Sequence, residues 1–301
     1  MVIIFDLVHS VYIFRLIKCS CACATVGHVL HELPDGNTVV GVTSLDNRLY
    51  VLRASSQRQI EVYDKDSYRL EACITVPGLH CAGNDIVACA HNYCIYACNI
   101  NNDRVHRVKL QLRYGSDITN WPVHDVPRCL SVAETHSVLV TCHKIRKIKE
   151  FTTDGKLLRQ FQLPRDVLAP RHTIQLSSGE FVMCHGRFHD PVHRVCLIDS
   201  YGQVLSSYGR PAGCGRQQTG VLSHLAVDRN GSVFVADMTN KRVLLLSPEL
   251  TFVREVLLQG QLEWTPRRLW LDSDRRRLYV AVSKWEGAYY TTGRVVVVSV
   301  D

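Results

Sequence analysis

Residues 224–258 read HLAVDRNGSVFVADMTNKRVLLLSPELTFVREVLL, and they decide the fold. An apolar run, LAV, is closed by the turn residues Asp228, Arg229, Asn230 and Gly231. VFVAD follows, then the loop MTNKR, the apolar run VLLL and finally FVREVLL. Short alternating or fully apolar runs broken by Gly, Asn, Asp, Ser and Pro punctuate strands, whereas helices need a longer period near 3.6. Four strands joined by tight turns make one antiparallel meander.

With VFVAD as anchor, the same unit recurs along the chain. RLYVLR stands around Val51, YCIYAC around Tyr96, SVLVTC around Val140, EFVMCH around Val182, SVFVAD around Val235 and RLYVAV around Val280, at spacings of roughly 42 to 53 residues. After each anchor comes a loop, then a polar or basic residue followed by a β-branched one: Gln59-Ile60, Arg104-Val105, Lys147-Ile148, Arg194-Val195, Arg242-Val243 and Arg294-Val295. Repeats of this length with four strands each are blades packed radially about a channel. The expected fold is therefore all-β, a six-bladed β-propeller over residues 25–301. The last repeat ends after its third strand, RVVVVSV, while GHVLHEL at residues 27–33 precedes the first blade. An N-terminal strand completing the final blade closes the ring and leaves no open edge.

The run LAVDRNGSVFVADMTNKRVLLL, residues 225–246, resembles an NHL repeat: an apolar strand ending in Asp, a Gly turn, a strand ending in Val-Ala-Asp, then Asn-x-Arg. Elsewhere the match thins, with Cys142 and Cys98 standing where Asp237 stands in blade five. The resemblance implies kinship with the C-terminal propellers of tripartite-motif and malin-type ubiquitin ligases. In those proteins the propeller recognises protein or RNA and a separate RING domain does the ligase chemistry.

Composition bounds the rest. The chain has 301 residues, 46% hydrophobic and 21% charged, which is enough apolar residue for a full core and excludes a disordered chain. Thirteen cysteines cannot all pair within the chain, and no Cys-x-x-Cys occurs, so a reducing, cytoplasmic setting is expected and no RING or zinc-finger module is encoded. Residues 1–24 are mostly apolar but carry Asp6, His9 and Arg15, a poor membrane span and a signal peptide without a leading basic stretch. They are read as an appended extension, and the propeller as a monomer without membrane contact.

Three constellations bear on chemistry. Asp237, Asn240 and Arg242 lie within six residues across a hairpin and are read as a structural clasp. Cys89, His91, Cys94 and Cys98, and likewise Cys184, His185, His189, His193 and Cys196, hold metal-ligating residue types. Strand parity and apolar surroundings argue for core cysteines instead, so no metal or cofactor is expected. Third, Pro127-Arg128, Pro170-Arg171-His172 and Pro266-Arg267-Arg268 recur just before an innermost strand, with Ser223-His224 at the matching place in blade five. The loops between second and third strands add Arg58, Lys144, Arg146, Arg187, Lys241 and Lys284 to the same face, with Phe188, Trp285, Tyr289 and Tyr290 as stacking groups. A formal charge of +7 accords with a basic face suited to an acidic peptide or to phosphates.

The leading expectation is a non-catalytic module that binds a protein substrate or adaptor, in a ubiquitin-ligase context. One alternative is single-stranded RNA on the same basic face. Another is a metal-dependent hydrolase like the gluconolactonase propellers, although arginines at most of the strand starts oppose a divalent ion.

Overall fold

The computed structural model describes residues 26–300 apart from 58, 80–84, 111–116, 191, 210–217, 259 and 288. Among these residues there is no helix, and the strands form six antiparallel sheets. From the channel outward, blade one contains Val39–Leu45, Arg48–Arg53, Gln59–Asp64 and Leu70–Thr75. Blade two contains Asp85–Cys89, Cys94–Asn99, Arg104–Lys109 and Ile118–Pro122, and blade three Pro127–Val132, Val138–Cys142, Lys147–Phe151 and Leu157–Gln162. Blade four contains Pro170–Gln175, Phe181–His185, Arg194–Ile198 and Val204–Tyr208, and blade five Leu222–Val227, Val233–Asp237, Arg242–Leu246 and Phe252–Leu257. Blade six takes Thr265–Asp272, Arg277–Glu286 and Tyr289–Ser299 from the end of the chain, and its outer strand, Val29–Glu32, from the beginning.

The β-branched residue of each recurring pair shows why the repeat folds this way. Ile60, Val105, Ile148, Val195, Val243 and Val295 are all fully buried, one per blade. They plug the six apolar clusters, each of which fills the wedge between two neighbouring blades. Burying such a side chain contributes about 1.5–3 kcal/mol. The closing strand pairs Val29 with Val298 and Glu32 with Val296. Arg53 pins it down, donating from Nη1 to the Asn37 and Gly293 carbonyls and from Nη2 to that of Pro34, while Nε meets Glu61 at 2.8 Å.

Polar struts join the innermost strands around the channel at every blade interface. The Ala88 N–H donates to Thr43 Oγ1, and that of Leu130 to Asp85. Ser131 Oγ donates to the Thr173 carbonyl, while the N–H groups of Leu225 and Leu269 donate to Nδ1 of His172 and of His224. Trp270 Nε1 closes the circle on Ser44 Oγ at 2.8 Å.

Candidate functional site: an arginine cavity at one channel mouth

The first strands of blades three and four begin with Pro-Arg, that of blade six carries Pro266-Arg267 directly after Thr265, and each breaks register at the arginine. Pro127 pairs with Cys142 and Cys129 with Thr141, so Arg128 is the extra residue of a bulge. Arg171 is skipped between Pro170 and His172, and Arg267 between Pro266 and Arg268. Proline lacks the N–H that an unbroken ladder would use, and a bulge re-aims the side chain of its extra residue. In blade five the break falls at Ser223 and His224. The local sequence thus turns three guanidinium groups from three blades toward one place.

That place is a cavity of about 440 Å³ lined by Arg128, Arg171, Arg267 and Arg268. Its walls are Met238 and Ser223 from blade five, Phe188 and His189 from the blade-four loop, and Trp285 and Tyr290 from the long hairpin of blade six. The Arg267 guanidinium lies over the Tyr290 ring at 4.1 Å, Trp285 packs edge-on against Tyr290 at 4.7 Å, and the Tyr290 hydroxyl reaches the Met238 sulfur at 3.4 Å. Phe188 and Trp285 are half exposed and form the lip.

Beneath the cavity lies a buried layer of mixed charge. Asp85 meets Arg268 Nε at 3.2 Å, His224 Nε2 at 3.5 Å and the Leu130 N–H at 3.0 Å. Burial alone would raise the Asp85 carboxyl, but Arg268 and His224 together outweigh it and hold it well below the usual carboxylate range. His172 stacks on His224 with ring centroids 3.7 Å apart. Both rings accept a backbone N–H at Nδ1, so each carries its proton at Nε2 and is neutral. Burial pushes both pKa values down in agreement, that of His172 the further, with the neighbouring His224 ring adding to the push on it.

Asp85, His172 and His224 bring their ligand atoms within 4.8 Å of one another, the spacing of a metal site. Their hydrogen bonds do not suit an ion. His172 uses Nδ1 for the Leu225 N–H and Nε2 for the Leu130 carbonyl, His224 Nδ1 is occupied by Leu269, and a guanidinium already sits on Asp85. These groups are the struts that hold blades together. The blade-four cysteines do not converge either. Cys184 belongs to the core between blades four and five and Cys196 to that between three and four, and burial pushes both thiols up to about 12.

Arg171 is 8% exposed; its Nε donates to the Gly186 carbonyl. Among the described residues no carboxylate comes within ion-pair distance of Arg128, Arg171 or Arg267, and Asp85 balances Arg268 alone. Burial and then Arg268 depress Arg128 and Arg267, while burial and then Arg128 bring Arg171 down to about 10. All four remain charged at neutral pH, because guanidinium holds its proton strongly. The cavity therefore carries an uncompensated charge of about three, set among low-dielectric walls.

The sequence-derived binding residues divide into three groups. Arg128, Arg171, Arg267, Arg268 and Trp285 line the cavity, joined by Phe188 and Tyr290. His172 and His224, expected on the binding face, are buried in the channel and correct that expectation: the blade-four bulge turns Arg171 to the cavity and the next position to the channel, and His224 lies within the blade-five break. The loop cations share the face but stay on its outer rim, several with partners of their own. Lys284 pairs with Glu286 at 2.6 Å, Lys241 donates to the Glu263 carbonyl and Arg146 to that of Arg165, while Lys144 and Arg187 are exposed. Tyr289 is exposed too, and Arg58 lies outside the described residues. Met238 was not singled out, and Asp85, Ser223 and His189 were not expected as binding residues, Ser223 standing only beside His224 and His189 only in the blade-four Cys/His cluster; for Asp85 the signal was a carboxylate opening a first strand where three other blades carry Pro-Arg.

Asp237 accepts from Arg242 Nε at 3.0 Å, Asn240 Nδ2 at 2.9 Å and the Gly220 N–H at 3.0 Å. Arg242 also reaches Glu255 and the Gln218 carbonyl. The trio ties blade five to the loop before it and opens onto no chemistry of its own.

No family model matches the chain, and no curated protein does. Solved structures do. The chain is similar to the PQQ-bound form of aldose sugar dehydrogenase from Streptomyces coelicolor, at 14% identity over 91% of this chain and 99% of that one, with a TM-score of 0.66. It is similar to the Cps50 (Swd1) β-propeller domain of Myceliophteria thermophila, at 9% identity over 91% and 100% with a TM-score of 0.61. A catalytically inactive virginiamycin B lyase from Staphylococcus aureus with quinupristin matches at 11% over 84% and 80%, TM-score 0.60. At these identities the likeness shows the fold: the protein is a six-bladed β-propeller.

Proposed function

We propose that the protein is a non-catalytic recognition module that binds an anionic segment of a protein partner in the arginine cavity. The observation that carries this reading is the set of three bulged arginines, supplied by three blades and left without acidic partners among the described residues. Like charges gathered in a half-buried place repel one another, so an incoming anion relieves that repulsion as well as making new contacts. The half-exposed Trp285 and Phe188 add apolar lips of the kind that anchor protein interfaces. The likeness of residues 225–246 to an NHL blade supports a ubiquitin-ligase setting, with the bound partner as the substrate to be selected.

The rim weighs against RNA as the ligand. A nucleic-acid backbone needs a continuous basic track, whereas here Glu286 pairs with Lys284, Glu263 pairs with Arg294, and Asp190 sits on the Arg187 backbone N–H. The test is fluorescence anisotropy with a labelled Glu-rich peptide. Salt-sensitive binding that disappears in Arg128→Gln/Arg171→Gln/Arg267→Gln supports the reading, and binding unchanged by the triple substitution refutes it.

A further inference from the structure

We infer that the anion taken by the cavity is a phosphate monoester on a protein side chain, in preference to a carboxylate. This inference rests on the reading of the cavity as a protein-recognition site and narrows it to one chemistry. Charge is the first reason. Arg128, Arg171 and Arg267 bring three guanidinium charges that Asp85 does not balance, since Asp85 is engaged by Arg268. A carboxylate brings one negative charge and two oxygens. A phosphate monoester brings about −1.5 to −2 and three acceptor oxygens, close to what three separate guanidinium groups require.

Placement is the second reason. The three arginines come from blades three, four and six, and their bulges set them around a common opening instead of in a row. Planar forks arriving from several sides suit a tetrahedral group with several equivalent oxygens. Two of the groups are also held before any ligand arrives: Arg171 is 8% exposed with Nε fixed on the Gly186 carbonyl, and Arg267 is braced against the Tyr290 ring at 4.1 Å. Little ordering entropy is then lost on binding.

The wall completes the description. At about 440 Å³ the cavity exceeds the needs of the phosphate alone. Met238, Tyr290 and Trp285 offer apolar surface to whatever carries it. A short phosphoserine and a longer phosphotyrosine present the same group at different depths, so both belong in the test.

The experiment compares labelled peptides of one sequence, bound to the full chain at constant ionic strength, with serine, glutamate, phosphoserine or phosphotyrosine at the centre. An oligo-uridine probe serves as a separate arm. The inference predicts that one or both phosphopeptides bind at least tenfold tighter than the glutamate peptide. It further predicts that Arg171→Lys, which keeps charge but loses the planar fork, weakens both peptides and weakens the phosphopeptide by the larger factor, because more of its oxygens rely on guanidinium forks. Equal binding of phosphate and glutamate peptides overturns the phosphate inference and leaves anionic protein recognition standing. Failure of all peptides overturns both. Tightest binding by oligo-uridine with steep salt dependence overturns both in favour of RNA.

Discussion

Replacing Asp85 by Asn separates the two roles of the channel mouth, because it removes one charge and almost no volume. In the native chain that carboxylate faces Arg268 at 3.2 Å and His224 at 3.5 Å, with both Asp85 and Arg268 almost completely buried. The Asn oxygen can still accept the Leu130 N–H, so the strut between blades two and three survives in part. What is lost is the counter-charge of a buried guanidinium, and breaking such a pair from one side costs about 3–5 kcal/mol. Arg268 keeps its bond to the Arg267 carbonyl at 3.0 Å, which places the expected loss near the lower end, about 3 kcal/mol. With a urea dependence of about 3 kcal/mol per molar, the unfolding midpoint drops by about 1 M. The double variant Asp85→Asn/Arg268→Gln removes both charges and recovers most of the loss, giving a coupling well above 1 kcal/mol in a double-mutant cycle. Asp85→Asn also raises the net positive charge of the cavity, so a labelled anionic peptide binds severalfold tighter to the less stable protein. A variant as stable as the wild type, with unchanged peptide affinity, would refute the assignment of Asp85 as the counter-charge of the channel.

Four further outcomes are expected. Arg171→Gln relieves repulsion within the arginine group, so the unliganded protein unfolds at the same or a higher temperature, while the stabilisation that inorganic phosphate gives the wild type shrinks; differential scanning fluorimetry reads both. Asp237→Ala strands Arg242 and the Gly220 N–H and costs about 3 kcal/mol in urea unfolding, against about 1 kcal/mol for Asn240→Ala. Arg53→Met removes the donors to three carbonyls around the closing strand, so amide exchange at Val29–Glu32 speeds up far more than exchange in blade three. Finally, His172 and His224 are neutral in the fold with depressed pKa values, so below about pH 6.5 the unfolded chain binds more protons than the folded one. Stability then falls with falling pH, by up to about 1.4 kcal/mol per unit for each histidine, and a flat urea midpoint between pH 7 and 5.5 would contradict the neutral pair.

Much of the fold was legible because each blade repeats the same two local demands. A second strand must be apolar on both faces, and a β-branched residue must follow a polar one at the start of the third; Arg104, Lys147, Arg194 and Arg242 each open a strand, and the residue after each is fully buried. Closure by residues near 27–33 was legible as well, since blade six lacked a fourth strand and an unattached apolar run was available. The site was legible only in part. Pro-Arg before an innermost strand marks the arginines, but which of two successive residues faces the mouth depends on the bulge. A one-residue shift sends the next side chain to the other side. For that reason Arg171 lines the cavity while His172 braces the channel, although the sequence places them side by side. The Asp85–Arg268 pair was beyond reach for another reason: its partners lie 183 residues apart and meet only when the ring closes.

The central claim is that the bulged arginines themselves hold the anion. It is tested most directly by following the guanidinium Nε–Hε signals of the full chain by NMR while a phosphopeptide is added. The account predicts that the signals of Arg128, Arg171 and Arg267 shift together and saturate at one equivalent, while those of Arg53 and Arg242, whose acceptors are internal, stay in place. Shifts confined to rim residues such as Arg146 and Arg187, with the three cavity arginines unmoved, would contradict it.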